Sequence, residues 1–334
     1  MTKKQIYDIL FLQKGNFMHL SDQQSKDKNL VCELAGQALG IPVTNLRQLG
    51  GSISYNYEVN YHYILKLPSE RTFPNSWVLQ ERYMPILQKY LTYQIPQPQT
   101  KVVWTKDKTQ SFMAMSYPKI DGNCVGDTFV FAQKDRPFKI RFLEQLSDAA
   151  NQLHSIPVSK IPLKIPTKEE EFQEDFFSST IAKGSSYLKR KIIHALFHDP
   201  FFGLDKSADK TDVLAHSDLH SGNVLFNDKN ELIALLDFDT LGCGDRFWEF
   251  RPKLYADSQD TNLFKEIYSS RTGHRIDFKD IYAMHQLFYF GQLLASAFAT
   301  YDAFSPAQNI KRLKSHLKDK DKMLRSIQRS FKSL

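Results

Sequence analysis

HSDLHSGNVLFNDKNELIALLDFDTLGCGD runs from His216 to Asp245. It sets five aspartates (Asp218, Asp228, Asp237, Asp239 and Asp245) around two strand-like apolar runs, VLF and LIALL. Acids scattered over a surface need no such framework, because water solvates them. Acids fixed at the ends of short apolar strands carry a desolvation cost, which a metal-phosphate site offsets.

The spacing narrows the chemistry. His216-Ser217-Asp218 and Asn223 form HxDxxxxN, and Asp237-Phe238-Asp239 begins 14 residues beyond Asn223, where the second apolar run ends. Phosphoryl transfer from a nucleotide needs a loop over the phosphates, a cation on them, oxygen ligands for magnesium and a carboxylate beside the acceptor hydroxyl. Asp218 fits the last role, accepting or orienting the acceptor proton. Hard Mg²⁺ takes oxygen ligands and keeps several waters, so the Asn223 amide oxygen, the Asp237 carboxylate and substrate phosphates suffice. Taken alone, HxDxxxxN could be a turn-rich loop of Asx residues. The strand and Asp-Phe pair downstream argue against that.

Working outward, residues 21–39 have helical periodicity with Gly40 as a stop. LRQLGGSISYNYEVNYHYILKLP (residues 46–68) reads as strand, Gly-Ser loop, strand, turn and third strand ending near Lys66. SWVLQERYMPILQKYL (76–91) is helical despite Pro85, and QIPQPQTKVVW (94–104) and residues 110–122 add two strands. Beyond them the pattern becomes helical: an amphipathic helix at 138–156, a Thr167-x-x-Glu170 capping box, and helices at 263–270, 278–301 and 308–331. The expected fold is α+β and two-lobed, protein-kinase-like: an N-terminal antiparallel sheet lobe with one key helix (1–115), a connector (116–122) and a larger, mainly helical C-terminal lobe (123–334).

Lys66 is the candidate phosphate cation. A lone strand-end lysine is usually a solvated edge charge, but Glu81 follows 15 residues later inside the helix, where an ion-pair partner is expected. Gly50, Gly51, Ser52 and Ser54 are the candidate phosphate cover, glycine allowing close backbone approach and serine adding donors. The connector, including Ser116, Pro118 and Ile120, is expected to hold the nucleotide base by backbone groups.

HSDLHSGNVLF…LLDFDTLGCGD resembles the aminoglycoside phosphotransferase and choline kinase superfamily, whose signature is close to HGDLHxGNxLF followed by a hydrophobic strand, (I/L)D(F/W) and GD. YILKLP and LQERYMPILQKYLTYQIPQPQ are similar to the aminoglycoside 2″-phosphotransferases in particular, and the resemblance spans about residues 40–300. It implies Asp218 as catalytic aspartate, Asn223 and Asp237 as metal ligands, Mg²⁺, and ATP or GTP as phosphate donor. Ser217 replaces the common Gly, and Asp239 stands where a small residue often follows the aromatic. Asp239 is therefore either a second-layer or substrate contact or a loop acid. His220 reads as structural. Asp245 matches the GD of small-molecule kinases, and no longer activation segment with an APE-like anchor follows Asp237.

Asp239, Asp245 and Glu249 crowd the segment after the metal aspartate and are candidate contacts for a cationic acceptor. Glu174 and Asp175 join them if they face the cleft; otherwise their acidic run serves the helix dipole. The expected activity is transfer of a nucleotide γ-phosphate to a small-molecule hydroxyl, an aminoglycoside-type aminosugar first. The alternatives are another metabolite (choline, a sugar or a macrolide) or a catalytically silent nucleotide-binding scaffold. Intact Lys66, Glu81, Asp218, Asn223 and Asp237 weigh against the scaffold.

Composition bounds the partners. The net charge is +7, yet residues 121–250 hold 15 basic against 21 acidic side chains. The segment carrying the chemistry is acidic, and no nucleic-acid motif accompanies the basic excess elsewhere, so nucleic acid is not expected as a partner. The longest apolar stretch, 286–300, is too short for a membrane span. The N-terminal apolar run is short and carries Asp8, unlike a signal peptide. Cys32, Cys124 and Cys243 lack disulfide or zinc spacing, so a cytoplasmic location is expected.

Overall fold

The computed structural model describes residues 18–50, 54–69, 72, 74–126, 128–161, 213–250 and 258–276. The helices expected at 278–301 and 308–331, and the capped helix at Thr167, lie outside these residues.

The N-terminal part is a five-stranded antiparallel sheet: β1 (Leu46–Gln48), β2 (Ser54–Val59), β3 (Tyr63–Pro68), β4 (Gln99–Trp104) and β5 (Ser111–Pro118), in the order β1-β2-β3-β5-β4. Period-two alternation along β5 explains how both faces are used. Phe112 and Ala114 join Val59, Leu65, Leu67 and Val103 against Val31, Leu34 and Ala35 of helix α2 (Lys28–Leu39). Met113 and Met115 face the other way, against Trp77 of helix α3 (Pro74–Leu87). The single helix expected at 21–39 is two, because Asp27 ends α1 (Asp22–Lys26) and caps α2 by accepting from the Asn29 and Leu30 amides. Gly40 closes α2 at φ 71°, a left-handed value that glycine adopts without Cβ strain.

Past β5 the chain enters the second part through residue 123, whose backbone exchanges both hydrogen bonds with Phe226 (2.8 and 2.9 Å). The short helix α4 (Thr128–Ala132) precedes α5 (Arg136–His154), capped by the Asp135 carboxylate on the Phe138 amide. Phe142, Leu143, Leu146, Ala149, Ala150 and Leu153 recur at helical spacing and form its buried stripe, shared with Phe264 and Tyr268 of α6 (Ser258–Thr272). Two antiparallel pairs rest on this core: β7 (Val224–Phe226) with β8 (Leu232–Leu235), and β6 (Val213–Ala215) with β9 (Gly242–Gly244). The loops that leave β6 and β8 carry the HxD and Asp-Phe-Asp residues, so the two parts meet over them. Among the described residues no helix is long and apolar enough to cross a membrane.

Candidate active site

The HxDxxxxN loop is held from behind. His216 is fully buried, its Nδ1 accepts from the Asp218 amide (3.3 Å), and its Nε2 lies 2.9 Å from the Leu236 carbonyl. With Nδ1 accepting, a neutral ring donates Nε2–H to Leu236; burial, which lowers the affinity of His216 for a second proton, favours that form. The ring also packs on Phe238, centroids 4.6 Å apart. One side chain thus ties the Asp218 loop to the Asp237 loop. The Leu236 amide donating to the Asn223 carbonyl (2.8 Å) and the Thr240 hydroxyl donating to the His216 carbonyl (2.7 Å) complete the tie.

Glu249 secures the same loop from inside. Its Oε1 accepts from the His216 amide (2.5 Å) and its Oε2 from the Ser217 amide (2.9 Å), and it is fully buried. Burial alone would raise its pKa; the His154 hydrogen bond and charge, with the Ser217 amide, bring it below the ordinary carboxylate value. His154, the last residue of α5, places Nε2 3.2 Å from Glu249 Oε1 and Nδ1 2.7 Å from the Tyr268 hydroxyl. Ser217 sits between the two grips at φ 66°, a left-handed conformation uncommon for a residue with a Cβ. Glu249, expected among the acceptor contacts, thus lies fully buried behind the loop with both oxygens on backbone amides. An acid with no exposed surface and both oxygens engaged is a structural anchor.

Asp218 emerges from this frame with about a third of its side chain exposed, 30%. The Asn223 Nδ2 donates to both the Asp218 carbonyl and its Oδ2, each at 2.9 Å. That commits the amide nitrogen and leaves Oδ1 as the side-chain acceptor atom of Asn223. His220 Nε2 lies 3.7 Å from Asp218 Oδ2, while its Nδ1 accepts from the Gly222 amide at 3.0 Å.

On the sheet side, Lys66 of β3 is buried and paired in register with Met115 of β5. Its Nζ lies 2.7 Å from Asp237 Oδ1 and 3.2 Å from Asp239 Oδ2. Burial opposes the ammonium charge, but the two carboxylates outweigh it and lift the Lys66 pKa well above its ordinary value. Burial also opposes the Asp237 charge, and Lys66 overrides it, bringing this carboxyl down to about 2. Burial and the neighbouring Asp237 push Asp239 the other way, above the usual carboxylate range. Asp237 itself takes φ 58°, ψ 68°, at the end of β8, with its carboxylate on Lys66 and 40% of its side chain exposed.

The expected Lys66–Glu81 pair does not form. Glu81 Oε2 accepts from the Thr100 amide (3.2 Å) and hydroxyl, facing β4. Gln80 reaches the cleft instead, donating from Nε2 to Asp239 Oδ1 at 2.5 Å. Helix phase is the reason: Trp77, Gln80, Met84 and Leu87 lie along the buried stripe of α3, and Glu81 is rotated off it by one residue. Asp239, also considered as an acceptor contact, spends both oxygens on Gln80 and Lys66.

Of the other candidates, Asp245 receives the Phe247 amide at 3.4 Å, beginning the turn that buries Glu249. Ser54 is buried and donates to Asn56 Oδ1 (2.8 Å), whose Nδ2 holds the Gly50 carbonyl (3.1 Å). Gly51, Ser52, Glu174 and Asp175 lie outside the described residues. Ser116 is buried and pairs with Leu65 and Gln99, Pro118 ends β5 exposed, and Ile120 lies just beyond. Lys119 Nζ anchors this connector on Glu58 at 2.7 Å. Tyr117 has no place in the motif reading, yet it stands near Lys66 and both aspartates. Burial first, then the two carboxylates, push its phenol up to about 12. The only sequence signal for it is its β5 position beside the lysine strand.

An antiparallel sheet with a buried strand lysine, set over an Asp–Asn loop and a strand-borne aspartate, is the architecture of the two-lobed, kinase-like phosphotransferases. The chain belongs to the phosphotransferase enzyme family APH, whose family model matches residues 45–270. The structure is similar to the GDP complex of wild-type aminoglycoside 2′-phosphotransferase-IIIa, at 17% identity and TM-score 0.58, covering 89% of this chain and 99% of that one. It is similar also to aminoglycoside phosphotransferase APH(2″)-IIa bound to gentamicin, at 18% identity and TM-score 0.53, covering 90% and 97%. The apoenzyme of macrolide 2′-phosphotransferase MphH from Brachybacterium faecium aligns at 17% identity and TM-score 0.50, covering 84% and 94%. No curated protein sequence matches the chain.

Proposed function

We propose that this protein transfers the γ-phosphoryl group of ATP or GTP to a hydroxyl of a small molecule, and that the acceptor is an aminosugar of the aminoglycoside type. The observation that carries the chemistry is the division of charge across one hydrogen-bonded frame. Lys66 and Asp237 lie on one side, 2.7 Å apart, and Asp218 with Asn223 on the other, joined through His216 and Leu236.

The donor set fits magnesium, because Asn223 Oδ1 and the exposed Asp237 carboxylate are both hard oxygens. When bound, Mg²⁺ neutralises charge on the β- and γ-phosphates. Asp218 receives the acceptor's proton as the hydroxyl oxygen bonds to phosphorus and the bond to the bridging oxygen breaks, leaving the nucleoside diphosphate. Asn223 Nδ2 holds Asp218 Oδ2, fixing the carboxylate plane toward the acceptor. Lys66 reaches the α- and β-phosphates from β3, Gly50 to Ser54 cover them, and the connector at Ser116 to Ile120 holds the base. The two lobes divide at about residues 116–122, and the reaction belongs to the cytoplasm.

The aminosugar assignment is supported by the acidic excess of residues 121–250 and by the aminoglycoside enzymes among the structural neighbours. Carboxylates lining a cleft attract ammonium groups through salt better than the same charges on open surface. Steady-state turnover with several aminoglycosides, choline and a macrolide, each with ATP and with GTP, tests it. Turnover confined to a neutral or anionic acceptor removes the aminosugar and leaves the kinase chemistry. No nucleotide consumption with any acceptor, despite nucleotide binding, favours the silent scaffold.

A further inference from the structure

Lys66 has two carboxylates, and the proposed chemistry assigns only one of them a task. Asp237, 40% exposed, is the cation ligand of the proposed function, and an ammonium 2.7 Å away competes for the same charge. A divalent cation on Asp237 repels that ammonium, so Lys66 then needs a second counter-charge to stay in place. Asp239 has the geometry of one. Its Oδ2 lies 3.2 Å from Lys66 Nζ, its Oδ1 receives the Gln80 amide at 2.5 Å, and only 16% of the side chain is exposed. Gln80 is itself buried, projecting from the stripe of α3 that also carries Trp77.

We infer that Asp239, held by the Gln80 amide, is the positioning residue for Lys66. It keeps the ammonium in place when Asp237 turns to the metal, and so takes the role expected of Glu81. The hydrogen-bond polarity supports this. A carboxylate at 239 requires a donor at 80, and a glutamate there would set two like charges 2.5 Å apart. The consequence for catalysis rests on the proposed phosphotransfer; the anchoring of Lys66 does not.

The anchoring is therefore tested first, without turnover. Acylation of Lys66 by a water-soluble amine-reactive ester, followed by mass spectrometry in nucleotide-free protein, reports how firmly the ammonium is held, with exposed Lys106 as internal reference. In Asp237→Asn protein, Asp239 alone remains to hold Lys66, and labelling should stay slow. Adding Asp239→Asn should speed it about tenfold, the equivalent of one charge-assisted hydrogen bond. Adding Gln80→Glu to that pair should restore slow labelling, because the amide introduced at position 239 would then donate to a carboxylate delivered from α3. The second readout is Mg-nucleotide affinity with Asp237 intact. Asp239→Asn should weaken it about tenfold, and the exchanged pair Gln80→Glu with Asp239→Asn should recover most of the loss. Rapid labelling in Asp237→Asn alone, or no recovery in the exchanged pair, overturns the proposal. So does an Asp239→Asn defect that appears only as weaker magnesium dependence with Lys66 labelling unchanged. If the labelling pattern holds while no acceptor is phosphorylated, the anchoring stands and the proposed function falls. Should the multiple variants unfold, Gln80→Ala in the wild-type background, which removes only the tether, should weaken Mg-nucleotide binding in the same direction; unchanged affinity there counts against the proposal.

Discussion

Replacing Glu249 by glutamine isolates the anchor behind the HxDxxxxN loop, since it keeps the side-chain shape and removes the charge. In the native site one oxygen serves the His216 amide and His154, and the other serves the Ser217 amide. A glutamine presents one acceptor and one NH₂ group, so in either orientation at least one buried backbone N–H faces a donor. An unsatisfied buried group costs about 1–3 kcal/mol, and losing the charge on the remaining bonds adds to it, giving roughly 2–4 kcal/mol. At about 2–4 °C per kcal/mol for larger domains, the unfolding midpoint should fall by roughly 4–16 °C at neutral pH. The folded-state pKa of Glu249 lies below its ordinary value of 4.5, so the stability its charge supplies is full above that value. It drains away as pH drops through the depressed folded value. The difference between wild type and Glu249→Gln should therefore be widest near pH 7 and shrink below about pH 4.5. Thermal unfolding by circular dichroism across that range, with hydrogen exchange at the His216 and Ser217 amides, is the assay. A gap under about 1 °C at pH 7, or one that widens on acidification, refutes the anchoring role.

Four further outcomes follow from the same geometry. Asp218→Asn should lower turnover about 10²–10⁴-fold while leaving Mg-nucleotide affinity near wild type, whereas Asp237→Ala should weaken that affinity itself; calorimetric titration with nucleotide and magnesium separates the two. Lys66→Ala should raise the nucleotide KM, lower kcat, or both, and unchanged kinetics would move the phosphate site off β3. Ser217→Gly should raise stability by about 1 kcal/mol, because glycine adopts φ 66° without Cβ strain, and a lower melting temperature would contradict the strain assignment. Gly222→Ala places a Cβ 2.8 Å from His220 Cε1, so it should displace that ring and reduce turnover more than nucleotide affinity, read as a kcat loss at unchanged KM.

The parts of the fold legible in the sequence are those fixed by local patterns. β2 and β3 announce themselves by β-rich runs around Asn60, and the turn there uses positive φ at Asn60 and Tyr61. The stripe from Phe142 to Leu153 identifies α5 through its 3.6-residue period. The β6–β9 pair is a different case. Each strand has three residues, and Gly242-Cys243-Gly244 carries no strand signature, so its pairing with Val213-Leu214-Ala215 follows from tertiary contact. The division of the 21–39 helix by Asp27 is visible as a potential cap but is outweighed, in a periodicity count, by the apolar residues on both sides.

The site divides along the same line. Asp218, Asn223 and Asp237 lie within one loop–strand–strand–loop unit, so spacing along the chain converts directly into proximity. Lys66 and its helix are joined to that unit only through packing, and a count of residues from Lys66 cannot fix which helix face meets it. The buried stripe can: Trp77, Gln80, Met84 and Leu87 share a face, and Gln80 is the polar member. A buried polar side chain on an apolar stripe needs a hydrogen-bond partner, and an acid directly after Asp-Phe, departing from the small residue common there, needs a neutralising one. The two anomalies, Gln80 and Asp239, lie 159 residues apart and satisfy each other. Glu249 hid for the opposite reason. In the sequence it is one more acid in an acidic segment, and only burial separates a carboxylate that would meet an acceptor from one that holds the backbone carrying Asp218.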